Sequence, residues 1–363
     1  MAAGVCGDGL VYGGVYGLVE GVRRIAVLRA NALGDLVVSL PAIEALKRAY
    51  PQARLTLLGQ DWHRRFLAGR PGPVDEVIAL PPVAGVSAPA DGPAAPPGLY
   101  DGLRRRRFDL AVQLHGGGRY SNPFVRALGA RLTAGLRTPD AERLDRWVPY
   151  HYFQHETLRM LEVAALVGAR TETAEPRIAV TAADRAELAR VLGEPPPGLV
   201  AVHPGAGDPR RRWPARRFAA VADRLGRPVV VTGTGAEREL VHDVVAAMRR
   251  PALPLVDGLG MGGLAALYER CDLVIANDTG PRHLAAAVGA PTVGIYWCGN
   301  AINAAPLACG RHRPLLSWVL ACPVCGASGV DLTAERCPHD ASWVAGVTTE
   351  EVLDAAQDLL AGR

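Results

Sequence analysis

The chain has 363 residues, 49% hydrophobic and 21% charged, which at ~100–200 residues per domain is enough for two domains with sizeable cores. Its 41 glycines and 29 prolines make up about a fifth of the sequence, against ~12% in average usage, so turns between short elements are frequent. The apolar runs fall short of the ~20 residues of a spanning helix, and 6% aromatics is thin for a base-stacking platform. The 40 basic and 36 acidic residues leave a net charge of only +4, and the basic clusters at 104–107 and 210–212 are too short for a nucleic-acid-binding stripe. Seven cysteines in so long a chain argue against a disulfide scaffold. Residues 1–23 are glycine-rich and have no basic stretch before an apolar core, so they read as a disordered leader or an over-long start rather than a secretory signal, and the chain as cytoplasmic.

In chain order, RIAVLR (24–29) is a short apolar run of the kind that forms a buried parallel strand. A glycine-containing loop, NALGD (31–35), leads into a helix pattern over 36–50 that Pro51 ends. Strands follow at 55–58 and 77–80. Residues 81–98, rich in Pro, Ala and Gly, read as a flexible loop. A basic helix at 99–108, a strand at 109–114 and a long helix at 154–168 complete the first half. The second half repeats the alternation: strand 199–202, loop 203–208, helix 215–225, strand 228–232, helices 236–249 and 264–271, strand 272–276, helix 280–288, strand 292–296 and a closing helix 348–360. Such alternation predicts parallel sheets covered on both faces. Two blocks joined near residue 172 predict an α/β chain of two doubly wound, Rossmann-like domains facing a cleft, with ligands at the carboxyl ends of the strands.

Five loops carry the chemistry. Asp35 opens a helix after the first strand, either as a helix cap or as a carboxylate at the cleft acting as general base, and Gly34 permits a tight turn there. His203-Pro204-Gly205-Ala206-Gly207 with Arg210, Arg211 and Arg212 is a glycine-rich loop beside guanidiniums that suit a phosphate, or an ordinary loop with solvated arginines. Asn277-Asp278-Thr279-Gly280-Pro281-Arg282-His283 opens a helix whose free N–H groups and dipole favour an anion; Thr279 caps that helix or donates to phosphate. Two anion-suited loops in one half point to a diphosphate. Glu237 begins a helix after TGTGA and suits ribose hydroxyls or simply complements the helix dipole. Cys322, Cys325, Cys337 and His339 supply three thiols and an imidazole, the donor set of a structural zinc or another metal, with ordinary free thiols as the alternative and with Cys298 and Cys309 as further candidates.

Together these stretches resemble glycosyltransferase family 9, the ADP-heptose:lipopolysaccharide heptosyltransferases. The matching segments are RIAVLRANALGDLVVSLPAIEALKRAYPQARLTLL, FDLAVQLHG, VAVHPGAG, RRRWPARRFAAVADRL and DLVIANDTGPRHLAAAVGAPTVGIY, and the resemblance runs from about residue 24 to the C-terminus. It implies a GT-B fold: a disordered leader at 1–23, an acceptor-binding domain at 24–172, a nucleotide-sugar domain at 173–346 and a last helix, 347–363, packing back on the first domain. It implies that Asp35 deprotonates the acceptor hydroxyl, which attacks the anomeric carbon with inversion. The donor ADP-sugar would meet His203, Gly205, Arg211, Glu237, Asp278, Thr279, Gly280 and His283. Arg211 stands where many members have Lys, and Pro281-Arg282 replaces a commoner Leu-Ser type pair. With no DxD motif visible, catalysis is expected to need no cofactor, leaving zinc a structural role.

On the acceptor side His115 and Arg119, with Tyr120 and Asn122, follow a strand end and face the expected cleft; they suit a sugar or phosphorylated sugar, or are plain loop residues. The acceptor would be a lipopolysaccharide-core-like or other glycan, or a small molecule. A lipid-linked acceptor would bring the enzyme to the inner face of the membrane as a peripheral protein. Two other classes suit parts of the pattern. An NAD-dependent oxidoreductase would use doubly wound domains, but GxGxxG is missing; a non-catalytic nucleotide-sugar-binding protein would not need Asp35.

Overall fold

A computed structural model describes residues 16–362. The first half runs β1 (Arg24–Leu28), α1 (Leu33–Ala49), β2 (Arg54–Gly59), α2 (Asp61–Leu67), β3 (Glu76–Ala79), α3 (Leu99–Arg104), β4 (Leu110–Gln113), α4 (Ser121–Ala127), β5 (Leu132–Arg137), β6 (Arg146–Pro149) and α5 (Glu156–Ala165). The second half runs α6 (Ala182–Leu192), β7 (Val200–His203), α7 (Ala215–Leu225), β8 (Val229–Gly233), α8 (Arg238–Ala247), β9 (Leu253–Val256), α9 (Met261–Arg270), β10 (Leu273–Asn277), α10 (Gly280–Ala287), β11 (Thr292–Trp297), α11 (Cys298–Ala304), β12 (His312–Ser317) and α12 (Thr349–Ala361). Among the described residues no helix is long and apolar enough to cross a membrane.

Each half builds a six-stranded, all-parallel sheet, in the orders β3-β2-β1-β4-β5-β6 and β12-β11-β10-β7-β8-β9. These are the same doubly wound order. The direction of winding reverses between β1 and β4 in one sheet and between β7 and β10 in the other, and ligand crevices open at such switch points. The central strands are apolar throughout, as a sheet covered on both faces requires: residues 25–28 of β1 and all of β7 and β10 are buried.

The halves meet through helices. α1 packs on α10, and one apolar cluster runs from Val27 and Leu57 through Leu36 and Ile43 to Leu267, Tyr268, Leu284 and Ala285. The seam is tightest at two glycines. A Cβ on Gly280 would stand 3.1 Å from Leu33 Cβ and 3.3 Å from the Gly34 backbone nitrogen; one on Gly34 would stand 3.3 Å from His283 Cδ2. Gly34 therefore serves a close approach of two helix starts rather than the tight turn its sequence context suggests. Away from the seam, Arg70 donates to the buried Asp184 carboxylate at 2.7 Å. Burial alone would raise Asp184, but the bonds from Arg70 and Thr181 outweigh it and hold the carboxyl below its ordinary value.

Three expectations change. Residues 81–98 are a folded lobe. Val83 and Val86 are buried, Ala84 N–H donates to Pro93 O (2.8 Å), Val83 N–H donates to Ser87 Oγ (2.9 Å), and Gln60 Nε2 donates to Ser87 O (3.2 Å). The closing helix α12 does not return to the first half. Its apolar stripe Val352, Leu353, Ala356 and Leu359 is buried against α7 and the β10–β12 strands, in one cluster with Phe218, Val221 and Ile295. The expected leader falls partly on residues 1–15, which lie outside the described residues; residues 16–23 pack on the body, with Val22 buried and Val19 N–H donating to Tyr50 Oη at 3.0 Å.

The seam yields a prediction. Gly280→Val forces α10 away from Leu33 and Gly34, and overpacking of this kind costs ~1–3 kcal/mol. The midpoint of urea unfolding should fall accordingly; an unchanged midpoint would show that the helices are not in contact there.

Candidate active site

Asp35 sits in the first turn of α1, where Oδ2 accepts from Ala32 N–H at 3.2 Å. Its other oxygen takes Arg29 Nη2 at 2.9 Å. Arg29, 2% exposed at the end of β1, also donates Nε to Asp35 O (2.9 Å) and Nη1 to Leu114 O (2.6 Å), and stands 3.8 Å from Glu156 Oε2. A buried guanidinium is tolerable only when satisfied in this way. The cap and the cleft carboxylate are thus one arrangement: the side chain that caps α1 is 38% exposed and borders a cavity of about 530 Å³ shared with Gln60, Ser87 and His115.

His115, just past β4, is buried and accepts from Ala30 N–H through Nδ1 (3.2 Å), leaving Nε2 to carry the ring proton. Burial and the Arg29 cation push it down to about 4, so the ring is neutral. Arg119 differs: its side chain is 71% exposed, 4.0 Å from Asp140, and stacks on Tyr120 at 5.6 Å. It lines a neighbouring cavity of about 340 Å³ with His115, Tyr120 and Tyr150. Asn122 is instead structural, its amide donating to Leu136 O and Glu142 O.

Across the seam, His203 ends β7. Its Nδ1 is 3.1 Å from Thr232 Oγ1, which is 3.2 Å from Tyr268 Oη, and its Nε2 is 4.0 Å from Glu237 Oε2. Burial lowers this histidine against the opposing pull of Glu237. A Cβ at Gly205 would overlap the Glu237 carboxylate, so glycine lets that carboxylate lie against the loop. Glu237 Oε2 meanwhile accepts from Thr234 N–H (2.9 Å) and its hydroxyl (3.0 Å), capping its own turn.

Arg211 projects from a three-residue 3-10 turn, Pro209–Arg211, and its Nη1 lies 3.4 Å from Asp278 Oδ2. Asp278 Oδ1 is 3.3 Å from His283 Nε2. Burial would raise the Asp278 carboxyl, but His283 and the Arg282 and Arg211 guanidiniums outweigh it and hold it down. Thr279 is the N-cap of α10, yet its hydroxyl makes no capping bond among the described residues. The helix start therefore presents N–H groups, a free hydroxyl and its dipole to one spot. Asn277 stitches the loops together, donating to Pro204 O (2.7 Å) and accepting from Trp213 N–H (3.0 Å). Arg282 turns away into the protein, donating to Ala304 O (3.3 Å) beneath Tyr296.

The ligand atoms of Cys322, Cys325, Cys337 and His339 lie within 4.8 Å of one another, and Cys298 and Cys309 are not among them. Gly326 at φ +73° turns the chain back so that Cys322 N–H donates to Ala327 O and Gly326 N–H to Cys322 O, both 2.8 Å. Backbone N–H groups of Cys325 and Val324 push the Cys322 thiol down to about 6. His339 Nδ1 is buried without a hydrogen-bond partner among the described residues, as an imidazole waiting for a metal would be.

The structure thus brings Asp35, His115, Asp278 and His283 to one junction and His203, Gly205 and Glu237 to the next strand end, while Arg119 stands at the rim. Arg29 escapes a motif reading because it acts through the Asp35 carboxylate it holds, and Asn277, read only as the first residue of its loop, turns out to tie that loop to Pro204 and Trp213; Gly326 directly after the Cys-x-x-Cys is the signal that marks the cysteine turn.

Two parallel sheets of the same winding order, facing each other through their switch-point loops, define a GT-B fold, and the carboxylate opposite an anion-suited helix start is the layout of a glycosyltransferase that takes a nucleotide-sugar. The model of glycosyltransferase family 9 (heptosyltransferase) matches residues 98–309, and the chain belongs to that family. Lipopolysaccharide heptosyltransferase 2 of Salmonella typhimurium is 25% identical over 295 residues, covering 75% of this chain and 82% of that protein. Among solved structures, a family 9 glycosyltransferase from Veillonella parvula superposes with a TM-score of 0.74 at 24% identity, covering 94% of this chain and 98% of its own. The ADP-heptose lps heptosyltransferase II of E. coli superposes with 0.71 at 19% identity, covering 94% and 99%.

The buried histidines set a pH dependence. Burial chiefly pushes His63 and His115 to about 4, whereas in the unfolded chain each titrates near ~6.5. Between these values the unfolded chain binds more protons, so stability is full above pH ~6.5 and is lost as pH falls toward 4. Urea unfolding at pH 7.5 and 5 should show this drop, and His63→Gln should shrink it; an undiminished drop would remove His63 from the account.

Proposed function

We propose that this enzyme transfers a heptose, or a closely related sugar, from an ADP-sugar to a glycan hydroxyl of the lipopolysaccharide-core type, with inversion. The observation that carries the reading is the meeting of Asp35 with the Asp278–Thr279–His283 helix start across the Gly34–Gly280 contact. The acceptor is held by the half spanning 24–172, in the cavities bordered by His115 and Arg119; the donor is held by the half spanning 173–346.

Asp35 takes the proton of the acceptor hydroxyl as that oxygen attacks the anomeric carbon from the face opposite the diphosphate. The bond from the anomeric carbon to the phosphate oxygen breaks with its electron pair, and ADP leaves carrying the negative charge. Arg211, the Thr279 hydroxyl and the α10 N-terminus receive that charge. His203 and Glu237 lie toward the nucleoside. Arg29 fixes the Asp35 carboxylate in direction, so the base needs no reorientation. The relatives' names include lipopolysaccharide heptosyltransferase, which supports the donor and acceptor class. A lipid-linked acceptor would place the reaction at the inner face of the membrane.

The test measures ADP release from ADP-heptose with core-type acceptors. Asp35→Ala should lose ~10²–10⁴-fold in turnover, while ADP still raises the melting temperature of the variant. Undiminished turnover would remove Asp35 from the role of base.

Cys322, Cys325, Cys337 and His339 would hold one structural zinc, which supplies cross-linking and takes no part in the transfer step. Metal analysis of the purified protein should give about one equivalent per chain, reduced by Cys337→Ser. A metal content near zero even after zinc is added would overturn the site.

A further inference from the structure

The turn that carries Arg211 has little support of its own. It spans three residues, Pro209–Arg211, between β7 and α7. Its footing comes from a distant part of the chain, the cysteine segment between β12 and α12. Trp343 N–H donates to Arg210 O (2.7 Å), and Ser342 Oγ donates to Arg212 O (2.7 Å). The Arg210 guanidinium lies 4.8 Å from the Trp343 ring centroid. Arg336, next to Cys337, reaches Asp208 at 3.5 Å, and Asp208 in turn takes Arg210 Nη2 at 2.6 Å. Two of these contacts are to backbone carbonyls on either side of Arg211, so they fix the position from which its side chain starts.

The segment itself is poorly equipped to stay folded alone. Its only strand-like pairing among the described residues is the bridge Ala321–Ser328, and Val324 and Leu332 are exposed rather than packed. Its order rests on Trp343, which stacks edge-on to Trp297 at 5.3 Å, and on the cysteine and histidine cluster. Cys322, Ala327 and Cys337 pack on the core around Trp297 and Trp343, but so small an apolar footing leaves the segment's fold dependent on a further cross-link.

We propose that the segment from Cys322 to Trp343 is a platform that positions Arg211 for the donor's diphosphate, so that filling the metal site sets donor affinity without touching the acceptor side. Asp208, Arg210 and Arg336 are positioning residues: each acts through the Arg211 turn. The dependence on metal rests on the zinc reading given above; the dependence on Asp208, Arg336 and Trp343 does not.

The experiment uses the full chain with ADP as probe. Calorimetry and donor KM are measured for the protein as purified, after chelation, and for Cys337→Ser, Arg336→Ala and Arg336→Lys, with metal content determined on each sample. Chelation and Cys337→Ser should remove the metal and weaken ADP binding about tenfold, raising donor KM while acceptor KM stays constant. Arg336→Ala should keep the metal and still weaken ADP several-fold, and Arg336→Lys should recover part of the loss. In an Arg211→Ala background none of these changes should weaken ADP further, because the group they position is gone. Full metal loss with unchanged ADP affinity overturns the coupling while leaving the metal site standing. Absence of bound metal overturns the zinc reading, and the Arg336 variants then decide the platform alone. Losses that add fully to that of Arg211→Ala overturn the proposal in either case. Should Cys337→Ser fail to fold, the chelated protein and Arg336→Ala carry the same comparison.

Discussion

The structure depends on a backbone contact between two helix starts. α1 follows the first strand of one sheet and α10 follows the strand beside the switch point of the other, and they touch where Gly280 lies against Leu33 and Gly34. Neither position has room for a longer side chain without a shift. Because each helix is welded to its sheet by buried faces, fixing this one contact fixes which loops of the two halves face each other. The Arg70–Asp184 pair ties the two halves together away from the seam, so the strand-end loops around Asp35 and Asp278 are not needed to hold them.

That geometry has an electrostatic cost. Two helix N-termini converge, and each carries about half a positive charge. Both bring a carboxylate to the junction, Asp35 within the first turn of α1 and Asp278 just ahead of α10. Each carboxylate is then matched by an arginine, Arg29 on one side and Arg211 on the other. The two pairs are not equivalent. Arg29 is buried with three acceptors on its own half and has nowhere else to go, whereas Arg211 is half exposed and meets Asp278 at the longer distance of 3.4 Å. In the proposed reaction an arriving diphosphate would draw the Arg211 guanidinium from Asp278 and leave the Arg29–Asp35 pair undisturbed. The Arg29–Asp35 pair is locked, whereas the Arg211 side chain is looser above the turn that carries it.

Much of this was legible in the sequence because the functional loops follow the most regular parts of the fold. RIAVL, VAVH and LVIAN are buried central strands, so their apolar runs stand out and the loops after them are located to within a residue or two. Four strands pass unnoticed: β5 lies inside its sheet, where Thr133 and Gly135 break its apolar run, and the other three are at the margins. β6, β9 and β12 each contain a proline, Pro149, Pro254 and Pro314, which breaks a strand pattern, and all three are edge strands, where a missing N–H costs no ladder bond. The lobe at 81–98 looked featureless because its order comes from Val83, Val86 and side-chain bonds to Ser87 rather than from periodicity. The closing helix packs on the second half rather than the first; amphipathicity shows that a face is buried but not what buries it.

Arg211 and the cysteine segment belong to one physical argument. An ammonium is a point charge that tolerates error in its placement; a guanidinium donates through a planar fork and rewards phosphate only when it arrives in the right plane. An arginine at this position therefore asks more of the turn beneath it than a lysine would. The turn is three residues long and cannot stiffen itself, but Asp208 folds back on Arg210, and Trp343 lies under Arg210. Trp343 N–H and the Ser342 hydroxyl hold the carbonyls on either side of Arg211. In the proposed reading, the rigidity that the guanidinium requires comes from more than a hundred residues further along the chain, from a segment held by the packing around Trp343 and by the cluster of three thiols and an imidazole.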